Sequence, residues 1–159
     1  MMSLLALAAF AMPAPVVDLF EVLAEGAVDP EVLHEGEPVL RLTADVPKGS
    51  ALLFRNDPVA GMREVRFRAW LRPSDGMSAW VWVRVDGADE PLSFRGSKRV
   101  KAGREGFVEV RARVRGDATA LGYGVSAEGK GTLDVDALEL EVDGRVLPFP
   151  VAPPPVEAP

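Results

Sequence analysis

From residue 65 to residue 142, apolar and polar side chains alternate with a period of two, interrupted by turn residues. In Val65-Arg66-Phe67-Arg68-Ala69-Trp70-Leu71-Arg72, the residues Val65, Phe67, Ala69 and Leu71 fall on one side, and Arg66, Arg68, Trp70 and Arg72 on the other. Successive side chains of a β-strand point to opposite faces, so this pattern predicts a strand with one face on a core. The next run sets Val81, Val83 and Val85 against Trp80, Trp82, Arg84 and Asp86. A third sets Val108, Val110, Ala112 and Val114 against Phe107, Glu109, Arg111, Arg113 and Arg115. Pro73-Ser74-Asp75-Gly76 and Asp86-Gly87 supply turn chemistry between them.

Leu121, Tyr123 and Val125 predict a short strand, and Gly129-Lys130-Gly131 reads as a hairpin turn into a last strand over 132–142. In that strand Leu133 and Val135 lie in one phase, and Leu138, Leu140 and Val142 in the other. A one-residue slip turns every later side chain to the opposite face, so the spacing predicts a β-bulge at Asp136-Ala137. Upstream, 38–44 and 51–55 read as strands joined by a turn at Pro47-Lys48-Gly49-Ser50. Residues 16–23 are ambiguous between strand and helix. Residues 25–37, acidic and punctuated by Gly26, Pro30 and Gly36, read as a loop. No long stripe of helical spacing is present. Short strands bounded by Gly and Pro predict an all-β, antiparallel two-sheet sandwich over 16–148.

The two ends differ from this block. Residues 1–15 carry no charge, and an apolar run over 4–11 is followed by Met12-Pro13-Ala14-Pro15. The apolar stretch and small residues match a secretory signal, while the basic start is missing. The other reading is an apolar N-terminal strand or a mis-assigned start. A membrane span needs about 20 apolar residues, which Pro13 and Pro15 interrupt. If the leader is a signal peptide, the domain is expected outside the cytoplasm, periplasmic or secreted; otherwise it is cytoplasmic. Residues 149–159, with Pro153-Pro154-Pro155, read as an extended Pro-rich tail.

A chain of 159 residues, 48% hydrophobic and 26% charged, suits one globular domain. The net charge of −6 argues against nucleic acid as a partner, because phosphate binding needs clustered positive charge. The absence of cysteine removes disulfides, thiolate nucleophiles and Cys-ligated zinc.

Hydrolytic chemistry finds little support. His34 is the only histidine and falls in the acidic segment, where it reads as a surface loop residue. Asp134 and Asp136 share a strand face and form an acid pair only in principle. The segment 124–132 misses the phosphate-cradling motif, since Gly131 stands where Ser or Thr must follow the lysine. The expectation is a non-catalytic protein.

Trp70, Trp80 and Trp82 all lie in the polar phase, with Arg68, Arg84, Arg111 and Arg113. If the valines fill the core, these residues point away from it. Flat rings stack on the apolar faces of sugars, and guanidinium groups offer forked donors to hydroxyls or carboxylates. One expectation is therefore a binding module for a glycan or another extracytoplasmic polymer, with Trp70, Trp80, Trp82, Arg68 and Arg84 as its contact face. The alternative is a structural or protein-interaction domain, with the tryptophans covering the sheet and the arginines lying over them.

The same block resembles a known family. Trp82-Val83-Arg84-Val85-Asp86-Gly87, Leu92-Ser93-Phe94, then Arg99 and Gly103 before Phe107 begin an ordered pattern. It continues with Ala118, Leu121, Tyr123-Gly124-Val125, Gly129, Gly131-Thr132 and Val135-Asp136-Ala137-Leu138. This pattern is similar to the non-catalytic N-terminal sandwich of some tail-specific serine peptidases. More broadly, it resembles the galactose-binding-like sandwich of carbohydrate-binding modules. The resemblance covers about 40–142. It departs at Phe107, where Trp is expected, at Asp134, where a bulky residue is expected, and at Ala137, which replaces the second acid of an Asp pair. It implies a jelly-roll fold and carries over no peptidase activity. It also implies a structural calcium between the first and last strands, with Asp136 as the last-strand acid and Glu21 as the first-strand candidate. Calcium takes six to eight oxygens, so these two carboxylates alone do not define a site.

Overall fold

The computed structural model describes residues 20–59 and 61–148. The apolar leader and the Pro-rich tail lie outside the described residues. Among the described residues the ordered elements are β1 (Glu21–Val22), β2 (Glu25–His34), β3 (Glu37–Pro58), β4 (Glu64–Pro73), β5 (Met77–Asp86), β6 (Pro91–Gly96), β7 (Gly106–Arg113), β8 (Ala120–Val142) and β9 (Arg145–Pro148). All of their pairings are antiparallel.

Two long strands, β3 and β8, run through both layers. The first part of β3, to Val46, pairs with residues 129–135 of β8; the second part, from Ser50, pairs with residues 120–127. Around the C-terminal part of β8 lies the first sheet, in the order β2-β3-β8-β4-β7, with β9 beside the end of β8. Around its N-terminal part lies the second sheet, β1-β3-β8-β5-β6. The expected turn at 47–50 is thus a register shift inside one strand.

The expected hairpin at 129–131 is likewise a bend within β8. Gly129 and Gly131 have φ of +112° and +153°, which only glycine adopts readily. A Cβ at Gly129 would land on the Gly76 carbonyl oxygen, and one at Gly131 on Ser74 Oγ. Ser74 N donates to the Thr132 carbonyl at 2.8 Å, and Thr132 N donates to Ser74 Oγ at 2.9 Å. These bonds tie the bend to the β4–β5 crossing, so the chain continues into the other sheet and does not reverse.

The segment expected as a loop, 25–37, is mostly β2, paired with β3 from Glu25↔Thr43 to His34↔Glu37. Pro30 falls within the register shift between Asp29 and Leu33, on an edge strand, where proline is tolerated. Glu35 and Gly36, with φ of +50° and +82°, make the two-residue turn into β3. The predicted bulge is present: Arg68 pairs with Glu139 and Trp70 with Asp136, with one extra residue on β8 and Ala137 at φ +50°.

The alternation in β4 and β5 fills the core. Val65, Phe67, Ala69, Leu71, Val81, Val83 and Val85 are all fully buried. Burying each large side chain contributes about 1.5–3 kcal/mol. The Phe67 ring of the first sheet lies 5.1 Å from the Tyr123 ring of the second, and Phe20 packs against both. The sheets therefore face each other, and their polar phases point in opposite directions. The architecture is an antiparallel two-sheet jelly-roll sandwich.

Candidate ligand-binding surfaces

On the outer face of the first sheet, β4 presents Arg66, Arg68, Trp70 and Arg72. Trp70 is only 3% exposed. His34, from the end of β2, stacks on its indole at 3.9 Å and 16°. His34 Nδ1 donates to Asp136 Oδ2 at 2.7 Å; a carboxylate only accepts, so this nitrogen carries the proton. His34 is therefore no loop residue: the β2 pairing carries it onto the sheet. Among the described residues Asp136 is its one hydrogen-bond partner, and no hydroxyl completes a triad. Asp134 and Asp136 are held by different partners, Asp136 by His34 and Asp134 by two arginines. Asp134 accepts Arg41 Nε at 2.7 Å and Arg72 Nε at 3.0 Å. Arg66 bonds Glu109 and Glu141. Arg68 Nε lies 3.1 Å from Glu139 Oε2 but off the hydrogen-bonding direction, and its guanidinium sits 4.5 Å over the Phe107 ring. The arginines that β4 presents on this face are thus each paired with a carboxylate.

On the outer face of the second sheet, Trp80, Trp82 and Arg84 of β5 stand opposite Ser126, Gly124 and Gly122 of β8. The small residues make room for the large ones. A Cβ at Gly124 would sit 3.0 Å from Trp82 Cζ2 and collide with the Leu53 carbonyl. Trp82 is 5% exposed, and Phe94 of β6 stacks on it at 5.7 Å and 20°. Phe94 itself is 60% exposed. The buried Trp82 Nε1 has no hydrogen-bond partner among the described residues. Arg84 Nε donates to Asp86 at 3.0 Å. Trp80 lies under the Arg99 guanidinium at 4.0 Å, and Arg99 in turn donates to Glu128 at 2.8 Å.

The structure brings Trp80, Trp82 and Arg84 together and places Trp70 and Arg68 on the opposite surface. It adds Phe94 and Arg99, which belong to the ordered pattern of the resemblance but were not among the expected contact residues. Glu21 pairs with Phe54, in the second-sheet half of β3, whereas Asp136 lies in the first sheet and is held by His34. Among the described residues no three His, Asp or Glu side chains converge as a metal site.

No protein-family model matches the chain, and no characterised protein matches it in sequence. Solved structures do match in shape. The enzymatically active domain of bacteriophage CBA120 tailspike protein 4 has a TM-score of 0.58 at 9% identity, over 75% of this chain and 18% of that one. The CBM22-1–GH10 modules of Clostridium thermocellum Xyn10B, solved with xylohexaose, match with a TM-score of 0.59 at 11% identity, over 82% of this chain and 27% of that one. The C-terminal family 22 carbohydrate-binding module of the same Xyn10B matches at 0.54 and 14% identity, over 80% of this chain and 87% of the module. The chain thus spans a minor part of the first two proteins and nearly the whole of the third. It has the jelly-roll sandwich fold of these carbohydrate-binding modules.

Proposed function

We propose that the chain is a non-catalytic glycan-binding module, acting outside the cytoplasm, that holds its ligand on the outer face of β5, β6 and β8. The exposure of Phe94, stacked in near-parallel fashion on buried Trp82, carries this reading. One face of the Phe94 ring rests on the indole, so little of its freedom is left to lose on binding. The other face is open to the C–H side of a sugar. Arg84 and Trp80 flank the platform. The similar modules solved with xylohexaose support the same ligand chemistry.

The test is affinity electrophoresis of the full chain against a polysaccharide panel, with Phe94→Ala and Trp70→Ala beside wild type. Phe94→Ala is expected to weaken binding roughly tenfold. A folded Trp70→Ala variant is expected to bind as wild type, because Trp70 lies on the far surface. A folded wild type that binds no glycan, or a Phe94→Ala variant that binds as wild type, overturns the proposal. A second reading, a protein-interaction sandwich, is favoured by the burial of Trp70 and Trp82 and takes its place if no glycan binds.

A further inference from the structure

β7 and β6 each form one edge of their sheet: β6 pairs with β5 and β7 with β4. Where they approach, a cleft of about 400 Å³ is lined by Ser93 and Arg95 from one side and by Glu64, Arg111, Arg113 and Arg115 from the other. Four guanidinium groups thus meet one carboxylate, in a protein whose net charge is −6. Arg66, Arg68, Arg72 and Arg84 on the sheet faces, and Arg99 over Trp80, each hold a carboxylate. The cleft arginines differ. Arg111 is 3.7 Å from Glu109, Arg115 pairs with its near neighbour Asp117 at 3.0 Å, and Arg95 and Arg113 have no ion-pair partner among the described residues. Charge of one sign gathered in a cleft focuses the field and concentrates ligands of the opposite sign.

We propose that this cleft binds the carboxylates of an acidic polysaccharide; the polymer's identity as a glycan rests on the function proposed above. Three observations favour that ligand. The planar guanidinium matches a carboxylate in a two-bonded fork. β6 alternates, so Phe94 faces the outer platform while Ser93 and Arg95 turn to the other side of the same edge strand and line the cleft, which puts the two surfaces on either side of one strand. The remainder of the protein is acidic and repels the dense phosphate array of a nucleic acid.

The test titrates the full chain with polygalacturonate, neutral xylan and a DNA oligonucleotide. Wild type is compared with Arg95→Gln/Arg113→Gln and with Phe94→Ala, each checked for folding by circular dichroism. Polygalacturonate is expected to bind more tightly than xylan and to weaken as salt rises. The double arginine variant is expected to lose roughly tenfold or more for polygalacturonate while keeping its affinity for xylan. Equal polygalacturonate binding by the double variant and wild type overturns the inference, as does tighter binding of DNA. Xylan binding lost in Phe94→Ala, with no preference for polygalacturonate, keeps the platform and overturns the cleft. Polygalacturonate binding lost in the arginine variant but kept in Phe94→Ala keeps the cleft and overturns the platform.

Discussion

Replacing Asp134 with alanine tests how the outer face of the first sheet is held. This residue is 2% exposed and its carboxylate is shared by two arginines. Arg41 approaches through Nε at 2.7 Å and Nη2 at 3.0 Å, and Arg72 through Nε at 3.0 Å and Nη2 at 2.9 Å. A hydrogen bond to a charged group contributes about 1.5–3 kcal/mol, and breaking one side of a buried pair costs about 3–5 kcal/mol. Here the cations are 37% and 35% exposed, so each recovers part of its hydration when the acceptor goes. The expected loss therefore falls near the low end, about 2–3 kcal/mol. Arg41→Ala removes one cation and leaves Asp134 with Arg72, so about 1 kcal/mol is expected. Urea unfolding followed by tryptophan fluorescence measures both variants, and the double variant completes the cycle. Asp134→Ala within about 0.5 kcal/mol of wild type would refute the reasoning.

Two further predictions concern the second sheet. Burial, and then its 2.5 Å bond to Asp57, hold the Tyr123 phenol above its ordinary pKa. The unfolded chain loses that proton near pH 10 while the folded one keeps it. Stability present below about pH 10 is therefore lost as pH rises further, by up to about 1.4 kcal/mol per pH unit. Unfolding measured on both sides of that pH should show the loss in wild type and a smaller one in Tyr123→Phe. The chain has one tyrosine, so phenolate absorbance follows this group directly. Gly124→Ala should cost more than about 3 kcal/mol, because the new methyl meets a backbone carbonyl that cannot yield. Gly106→Ala, with open space at its Cβ, should stay within about 0.5 kcal/mol in the same assay.

Alternation told which side of β4 and β5 faces the core, because a half-buried strand writes its burial into every second residue. Val65, Phe67, Val81 and Val83 are buried accordingly. The phase slip located the bulge at Ala137 for the same reason. Period two does not reveal which sheet a strand joins. Trp70 and Trp82 occupy the same phase, yet their strands lie in opposite layers, and the separation is made by a contact between Ser74 and Thr132 far apart in sequence. β2 was illegible because Gly26 and Pro30 read locally as breakers, whereas an edge strand with a register shift absorbs them. That misreading also hid His34 and its bond to Asp136.

Polar phase is not the same as exposure, and the difference decides where a ligand can touch this protein. Each tryptophan of the outer faces is overlaid by one further side chain: His34 on Trp70, Phe94 on Trp82 and Arg99 on Trp80. Two of the three overlying residues, His34 and Phe94, come from edge strands, β2 and β6. The tryptophans are large apolar bodies that cannot sit open to water without loss, so the fold spends neighbouring edge residues to cover them. Where the covering residue is itself half-buried and hydrogen-bonded, as His34 is to Asp136, the surface closes on itself. Where it is an exposed ring with no polar group, as Phe94 is, the covering presents a new apolar face supported from beneath. On the function proposed above, recognition is written in the short, weakly patterned edge strands, and the conspicuous Trp-Val-Trp-Val-Arg-Val run provides the support.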